Sequence, residues 1–389
     1  MTIKTPGWPV HDKDEIKVVN QVLQSGCTNY WTGKECRDFE KEFAEFIGTK
    51  HAVALMNGTV ALEAALYALD IGAGDEVITS CRTFIASASC IVMRGAKPIL
   101  ADVDMITQNM TAETIEPCIS PRTKAIIVVH LAGWPADMDA ISALAKKYHL
   151  KIIEDCAQAH GAKFKGRYVG SWGDVSAFSF CQDKIITTGG EGGMVTTNDD
   201  LYWQKIWSFK DHGKNYQKVY HDQHPPGFRW LHDSFGTNWR MTEIQAAIGR
   251  LQLKKLPQWL NIRKRNAEIF STRLANCHGL RLTIPNFDIQ HAYYKYYVFV
   301  QPDKLKPEWN RDRIMQEVND LGVLCYSGSC SEIYLEQAFK QLNLANEIKS
   351  NAKLLGETSL MFLVHPTLTT SDVERAADAL LTVMNKAMV

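Results

Sequence analysis

A series of short apolar segments between residues 51 and 200, separated by helical patterns, constrains the fold of this chain more than any other feature. Strands joined by crossover helices pair in parallel, because each helix returns the chain to the same end of the sheet. The sequence therefore predicts an α/β fold built on a mostly parallel sheet. Apolar runs bounded by turn residues place its strands at residues 51–56, 76–79, 97–101, 125–131, 151–155, 174–180 and 193–197.

The pattern changes after Met241. A long amphipathic helix is expected there, interrupted at Pro257, because proline removes a backbone donor and clashes with the preceding turn. A mixed tail follows, with a strand at residues 293–300 and a closing helix capped by Ser371. We expect a large domain at residues 1–250 and a smaller C-terminal α+β domain at residues 251–389, joined by the N-terminal segment.

Lys184 stands in a loop between the strand at residues 174–180 and a glycine cluster at residues 189–193. An imine-forming lysine must be fixed at a strand end and partly desolvated, with small residues that let backbone approach a ring and a phosphate. Taken alone, the segment fits such a lysine and an ordinary loop lysine about equally well.

Asp155 ends a predicted strand at the sheet edge where open α/β sheets bind ligands. It is a candidate partner for the protonated ring nitrogen of pyridoxal phosphate, whose electron sink depends on that proton. Without other evidence, a solvated acid at a strand end is the simpler interpretation.

Gly58 and Thr59 lie in a tight turn between a buried strand and a strongly helical run. The first amides of a helix and its dipole bind phosphate, and glycine lets the backbone come close to the anion. The alternative is a plain helix cap by Thr59.

Together these segments resemble the DegT-type nucleotide-sugar aminotransferases, pyridoxal phosphate enzymes of fold type I. The resemblance covers nearly the whole chain. It rests on motifs in a fixed order, at residues 33–44, 51–66, 74–78, 83–87, 154–161, 176–193 and 236–243.

The resemblance implies that Lys184 binds pyridoxal phosphate covalently and moves the proton during transfer. Asp155 would pair with the ring nitrogen, and Gln158 would contact the phenolic oxygen of the ring. Phe84 would stack on the ring face. Taken alone, Phe84 would be a core aromatic residue, and Gln158 and His160 could satisfy buried backbone groups; His160 receives no catalytic role.

The phosphate site implied by the resemblance combines Gly58, Thr59 and Ser179 with Asn238 of the neighbouring subunit. The active site would then need a homodimer, with each site shared by two chains. Ser179 could otherwise be an exposed strand position. Asn238 could be a turn residue ahead of the helix expected near Met241.

The implied reaction moves an amino group from an amino acid, expected to be glutamate, to a nucleotide-linked keto-sugar of bacterial glycan biosynthesis. A 4-keto-6-deoxy sugar is the first choice, with a UDP-linked 2-acetamido sugar slightly ahead of dTDP- or GDP-linked ones. One alternative is a pyridoxal phosphate-dependent sugar dehydratase of the same family, in which histidine replaces the lysine. The presence of Lys184 argues against this alternative. The other is a regulatory or sensor protein that binds the cofactor without turnover.

The chain departs from the family pattern on the substrate side, at Cys181, Gln182, Cys330 and Met361. Residues 324–332 would form a specificity loop. The aromatic-rich stretch between residues 203 and 239 is expected to be a loop that covers the substrate or crosses to the partner subunit.

Composition is that of an ordinary cytoplasmic enzyme. Forty-three basic and 43 acidic residues give no net charge, which does not point to nucleic acid or an acidic membrane surface. Ten scattered cysteines show no metal-site spacing, so no metal and reduced thiols are expected. Neither a signal peptide nor a long apolar run is found, and no membrane association is expected.

Overall fold

The large sheet of the protein is mixed and mostly parallel, as predicted. In this computed structural model, which describes residues 6–223, 227, 229–342 and 349–389, the sheet has seven strands in the order β1-β9-β8-β5-β4-β2-β3. Its strands are β1 His51–Leu55, β2 Glu76–Ser80, β3 Lys97–Ala101, β4 Thr123–Val129, β5 Lys151–Asp155, β8 Val175–Ser179 and β9 Gly193–Thr197.

Each of these strands lies within two residues of its predicted bounds. The β8-β5, β5-β4, β4-β2 and β2-β3 pairs are parallel, whereas β9 runs antiparallel to both β1 and β8. Helices cover the two faces of the sheet, which explains why strands such as β2 are buried along their whole length. The carboxyl ends of β5 and β8 therefore open on the same edge of the sheet.

A second sheet lies in the C-terminal part of the chain. Its order is β10-β12-β14-β13, all antiparallel, and a third small sheet pairs β11-β6-β7. The bounds of these strands are β6 Lys163–Phe164, β7 Arg167–Tyr168, β10 Leu280–Leu282, β11 Ile289–Gln290, β12 Tyr296–Val300, β13 Cys325–Tyr326 and β14 Ser359–Phe362.

The helices of the described residues connect and cover these sheets. They are α1 Lys13–Ser25, α2 Glu35–Ile47, α3 Gly58–Ala68, α4 Ala86–Met93, α5 Ala112–Ile115, α6 Met138–Tyr148, α7 Asp200–Phe209, α8 Tyr216–Tyr220, α9 Glu243–Leu274, α10 Arg311–Asp320, α11 Gln337–Lys340, α12 Ser350–Thr358 and α13 Thr370–Ala387. None of them is long and apolar enough to cross a membrane.

Helix α9 shows that the expected break at Pro257 is wrong. The helix runs for 32 residues with Pro257 inside it. Leu253, Leu256 and Trp259 are buried around the proline, so their packing outweighs the roughly 3 kcal/mol that an internal proline costs. The first half of α9 packs against the large sheet, and Phe270 and Leu274 in its second half pack against the small one.

Two other local expectations are also wrong. The closing helix is capped by Thr369, not Ser371: the Thr369 hydroxyl accepts from the Asp372 amide, and the Asp372 carboxylate accepts from the Thr369 amide. The stretch between residues 203 and 239 is not one loop, because it contains most of α7 and all of α8. Residues 224–226 and 228 in this stretch lie outside the described residues.

The N-terminal segment reaches the middle of α9. The Trp8 ring packs edge-on against Trp259, with ring centroids 5.1 Å apart, and stacks 6.1 Å from His365. The division at residues 250 and 251 falls within α9 and stays a prediction.

Candidate active site

A cavity of about 1280 Å³ opens at the carboxyl edge of the large sheet, and the small sheet and the N-terminal segment also line it. Its size exceeds the roughly 300–1000 Å³ typical of a pocket for one small molecule. Residues from across the chain converge on this cavity. Among them are seven of the eight predicted site residues: Gly58, Thr59, Phe84, Asp155, Gln158, Ser179 and Lys184.

One end of the cavity is the turn between β1 and α3. Asn57, rather than Thr59, caps this helix, because the Asn57 side chain accepts from the Val60 amide at 3.0 Å. In the described part of the chain, the amides of Gly58 and Thr59 have no acceptor. A Cβ on Gly58 would lie 2.6 Å from the Ser179 Cβ, so only glycine lets the turn approach Ser179 this closely. Two free amides at a helix N-terminus beside a hydroxyl are an arrangement that can bind an anion.

Asp155 lies at the end of β5, with 7% of its surface exposed. The Ser87 hydroxyl donates to Oδ2 at 2.7 Å, and the Ala157 amide donates to Oδ1 at 3.1 Å. Thr83 contacts the Ser87 hydroxyl at 2.9 Å and so fixes it from the other side. No cation that the structure describes pairs with this carboxylate, so its charge is available to a cation in the cavity. Ser87 and Thr83 were not predicted; their spacing of four residues next to Phe84 was the available signal.

The adjacent acid, Glu154, points to the opposite face of β5, as the strand pleat requires. It is fully buried and accepts from the amides of Gly170, Trp172 and Gly173, the Ser176 hydroxyl and the ring of His130. Burial opposes its ionisation, but the hydrogen bond from His130 and those from the amides outweigh burial and lower the pKa of Glu154. Glu154 is a structural anchor, and Asp155 alone faces the cavity.

Phe84 and Gln158 line the walls between these groups. Phe84 is 66% exposed, so the interpretation of this residue as a core aromatic is wrong. The Gln158 Oε1 accepts from the Ala132 amide at 2.7 Å, as its alternative interpretation expected. That bond fixes the side-chain amide and leaves its NH₂ group as a donor.

Lys184 lies in the loop after β8, and its side chain is 16% exposed. Its carbonyl accepts from the Trp8 indole at 2.8 Å. Its Nζ lies 3.7 Å from the Asp183 Oδ1 and 5.0 Å from the centroid of the Tyr294 ring. The Tyr294 hydroxyl donates to the other oxygen of Asp183. A lysine held by its backbone, an acid and a ring face is not an ordinary solvated loop lysine.

Two further cations line the cavity beside Lys184. The Lys295 Nζ lies 3.8 Å from the Asp183 Oδ2, and burial lowers the pKa of Lys295 to about 8. Arg263 is buried and donates to the carbonyls of Tyr293 and Tyr294 at 3.2 Å, while its Nε and Nη2 have no partner among the described residues. Lys184 and Lys295 therefore lie beside the Asp183 carboxylate, and Arg263 adds a third cation to this end of the cavity. Neither residue was predicted, although Lys295 stands out as the one charge within the apolar strand at residues 293–300.

Asn238 does not line the cavity of its own chain. It is exposed and forms a backbone bridge with Asp211, five residues ahead of α9. The structure thus separates Asn238 from the other seven predicted residues within one subunit.

Comparisons with known proteins agree with this geometry. The profile described as the DegT/DnrJ/EryC1/StrS aminotransferase family matches residues 9–381. A GDP-perosamine synthase of Caulobacter vibrioides is 38% identical over 354 residues, which cover 90% of each chain. The solved structure of an aminotransferase from Psychrobacter cryohalolentis is 55% identical, with a TM-score of 0.97 over 98% of this chain and 99% of that one. The PLP form of a putative sugar aminotransferase from Streptococcus pneumoniae is 25% identical, with a TM-score of 0.88 over 99% of both chains.

Proposed function

The chain belongs to the DegT/DnrJ/EryC1/StrS aminotransferase family, and we propose that it uses pyridoxal phosphate to transfer an amino group from glutamate to a nucleotide-linked keto-sugar. Its relatives include sugar aminotransferases, and its fold is that of the fold-type I enzymes among them. The observation that carries the proposal is the convergence of Lys184, Asp155 and the Gly58 turn on one cavity. These three features match the aldehyde, the ring nitrogen and the phosphate of the cofactor, respectively.

The donors and acceptors of the cavity fit the cofactor. Its phosphate would lie at the free amides of Gly58 and Thr59 and the Ser179 hydroxyl. Asp155, held by neutral donors only, would keep the ring nitrogen protonated, and Phe84 would cover the ring face. When bound, pyridoxal phosphate supplies an electron sink for the bonds broken during transfer.

Lys184 would hold and move the proton. Its amine can bind the cofactor covalently, and after release it lies beside the Asp183 carboxylate, 3.7 Å away. The Tyr294 hydroxyl bond fixes that carboxylate. A released amine held at this position would be able to accept or donate the proton, as general acid–base catalysis requires.

The excess positive charge at this end suits the anionic parts of the substrates. Lys295 and Arg263 would bind the carboxylate of the amino acid donor or the diphosphate of the sugar nucleotide. The cavity volume of about 1280 Å³ supports a site for both cofactor and sugar nucleotide. Gly328, Ser329 and Cys330 line it, which supports the proposal that residues 324–332 are a specificity loop.

For the acceptor we propose a 4-keto-6-deoxy sugar in a cytoplasmic step of glycan biosynthesis. The name of the Caulobacter relative contains GDP-perosamine, so the comparisons give no support for placing UDP-linked sugars ahead of GDP-linked ones. UDP-, GDP- and dTDP-linked sugars therefore all stay candidates.

We also propose a homodimer with shared sites. Asn238 is exposed and lies away from its own cavity, as a residue that completes the partner subunit's site would. The alternatives are less well supported. Lys184 faces the cavity, whereas the dehydratase branch has histidine there, and a sensor would not need the Lys184–Asp183 arrangement.

Borohydride reduction tests the central assignment. Reduction of the pyridoxal phosphate-loaded protein, followed by peptide mapping, should place the label on Lys184. Lys295 lies in the same cavity, so Lys295→Met is the matched control and should be labelled like the wild type. Label on Lys295, or none, would contradict the assignment.

A second experiment identifies the acceptor. The protein converted to its amino form with glutamate is offered UDP-, GDP- and dTDP-linked 4-keto-6-deoxy sugars, and the aminated product is detected by mass spectrometry. Consumption of glutamate without amination of any of these sugars would indicate another acceptor class, whereas no consumption of glutamate would support the sensor.

A further inference from the structure

Arg82 is fully buried beside the active site without an acidic partner. It lies between β2 and Phe84, is 0% exposed, and forms no ion pair with any carboxylate that the structure describes. Burial lowers its pKa. A buried charge without a counter-ion is costly, so an arginine at this position requires an explanation.

Neutral acceptors from three separate segments hold the guanidinium group. Nε and Nη2 donate to the Gln108 Oε1 at 3.1 and 2.9 Å, and Nη2 also donates to the Ser359 hydroxyl at 3.3 Å. Nη1 donates to the Ser329 carbonyl at 3.2 Å and to the Ser331 hydroxyl. The rigid fork of donors can bridge these segments at once, which lysine cannot do.

Two residues of the small sheet hold the same loop. The Tyr297 hydroxyl accepts from the Ser329 amide at 3.0 Å, and the Ser359 hydroxyl donates to the Ser327 carbonyl at 2.6 Å. Gly328 has a φ of +93°, and a Cβ there would lie 2.4 Å from the Tyr297 ring. Residues 327–331 are thus clamped by Arg82, which follows β2 of the large sheet, and by Tyr297 and Ser359 of the small sheet.

We propose that Arg82 is a positioning residue that determines acceptor specificity. It fixes residues 328–330, which line the cavity, relative to Phe84, two residues away in its own segment. One short segment, residues 82–84, therefore positions both the loop that would contact the sugar and the phenylalanine that would cover the cofactor ring. The role in acceptor choice rests on the proposed function; the clamp on the loop does not.

Arg82→Met tests the clamp directly. Methionine can fill the site without hydrogen bonds, so we expect the fold to persist while residues 327–331 are released. Amide hydrogen exchange in this segment should accelerate at least about tenfold, the factor that corresponds to the loss of one charged hydrogen bond. The exposed Cys330 thiol should react faster with a disulfide reagent by a similar factor. Arg273→Met, which removes surface ion pairs with Glu374 and Asp378, should change neither rate.

Kinetics test the specificity role. In Arg82→Met we expect the half-reaction with glutamate to keep its rate, KM for the keto-sugar to rise about tenfold, and discrimination between acceptor sugars to shrink. Arg82→Lys should recover part of the loop protection. Unchanged exchange and Cys330 reactivity in Arg82→Met would overturn the proposal even if KM for the keto-sugar rises.

Failure of the proposed function would look different. If the wild type aminates no sugar, exchange and thiol reactivity still decide the clamp, because neither needs substrate. If Arg82→Met does not fold, Ser331→Ala and Gln108→Leu remove the acceptors instead, and the same acceleration at residues 327–331 is expected from each. Absence of acceleration in both would overturn the clamp.

Discussion

Gly58→Ala should weaken cofactor binding through a clash that can be located in advance. The added Cβ would lie 2.6 Å from the Ser179 Cβ and 3.1 Å from its Cα and Oγ. Carbon atoms rest about 3.5–4.0 Å apart, so the start of α3 and the end of β8 must separate by about 1 Å. Overpacking of this kind costs about 1–3 kcal/mol, which exceeds the gain of up to about 1 kcal/mol that alanine offers over glycine in a helix.

The separation acts on both sides of the proposed phosphate site. Since 1.4 kcal/mol is a factor of ten, we expect the dissociation constant for pyridoxal phosphate to rise about 5- to 150-fold. The assay is a titration of cofactor-free protein, followed by absorbance. Gly72→Ala is the control, because its Cβ would meet nothing closer than the Arg94 carbonyl at 3.7 Å. Affinity within twofold of wild type in Gly58→Ala would refute the placement of the phosphate between α3 and Ser179.

Three further predictions concern charge, assembly and pH. Asp155→Asn keeps a partner for Ser87 but loses the anion, so turnover should fall about 10- to 150-fold while much of the cofactor is retained; near-normal turnover would exclude the pairing with the ring. Mixing inactive Lys184→Ala and Asn238→Asp chains should restore about a quarter of wild-type activity, because half the dimers carry one intact site; verified mixed dimers without activity would rule out sharing. Burial lowers the pKa of His160 from 6.5 to about 3, so its contribution to stability is complete above pH 6.5 and is lost as the pH falls toward 3. The wild type should therefore lose about 2 kcal/mol more unfolding free energy between pH 7 and 5 than His160→Leu does, as measured by urea unfolding. An equal loss in the two proteins would show that unfolding does not add a proton to His160 in this pH range.

The strands of the large sheet could be predicted because burial on both faces leaves a simple record in sequence. In the central strand β4, Ala125 to Val129 form an uninterrupted apolar run, and Lys124 and His130 stand at its two ends. Asp155 and Lys184 were identifiable for the same reason, since each follows such a run at the edge where the cavity opens.

The rest depends on contacts that sequence patterns do not record. Pro257 obeys its local propensity only when nothing packs around it, and the burial of Leu256 and Trp259 reverses that outcome. Arg263 and Lys295 reach the cavity through the packing of α9 and β12, far from Lys184 in sequence. The Thr369 cap, by contrast, carried a readable signal, because Asp372 three residues later completes a capping box.

Because β1 lies at the edge of the large sheet, the nascent chain cannot pair this strand until much later in translation. Its partner in the sheet, β9, begins about 140 residues after β1 ends. At the roughly 5–20 residues per second of translation, β1 waits about 7–28 s after its own synthesis before it can pair. The turn at Gly58, where we propose that the phosphate binds, follows β1 directly, so this site cannot form during that interval. The apolar helix α3, which packs on β8 and β9 in the folded protein, stays exposed for the same time. A chaperone, or a low local concentration of nascent chains, would therefore protect the chain from aggregation most during this interval.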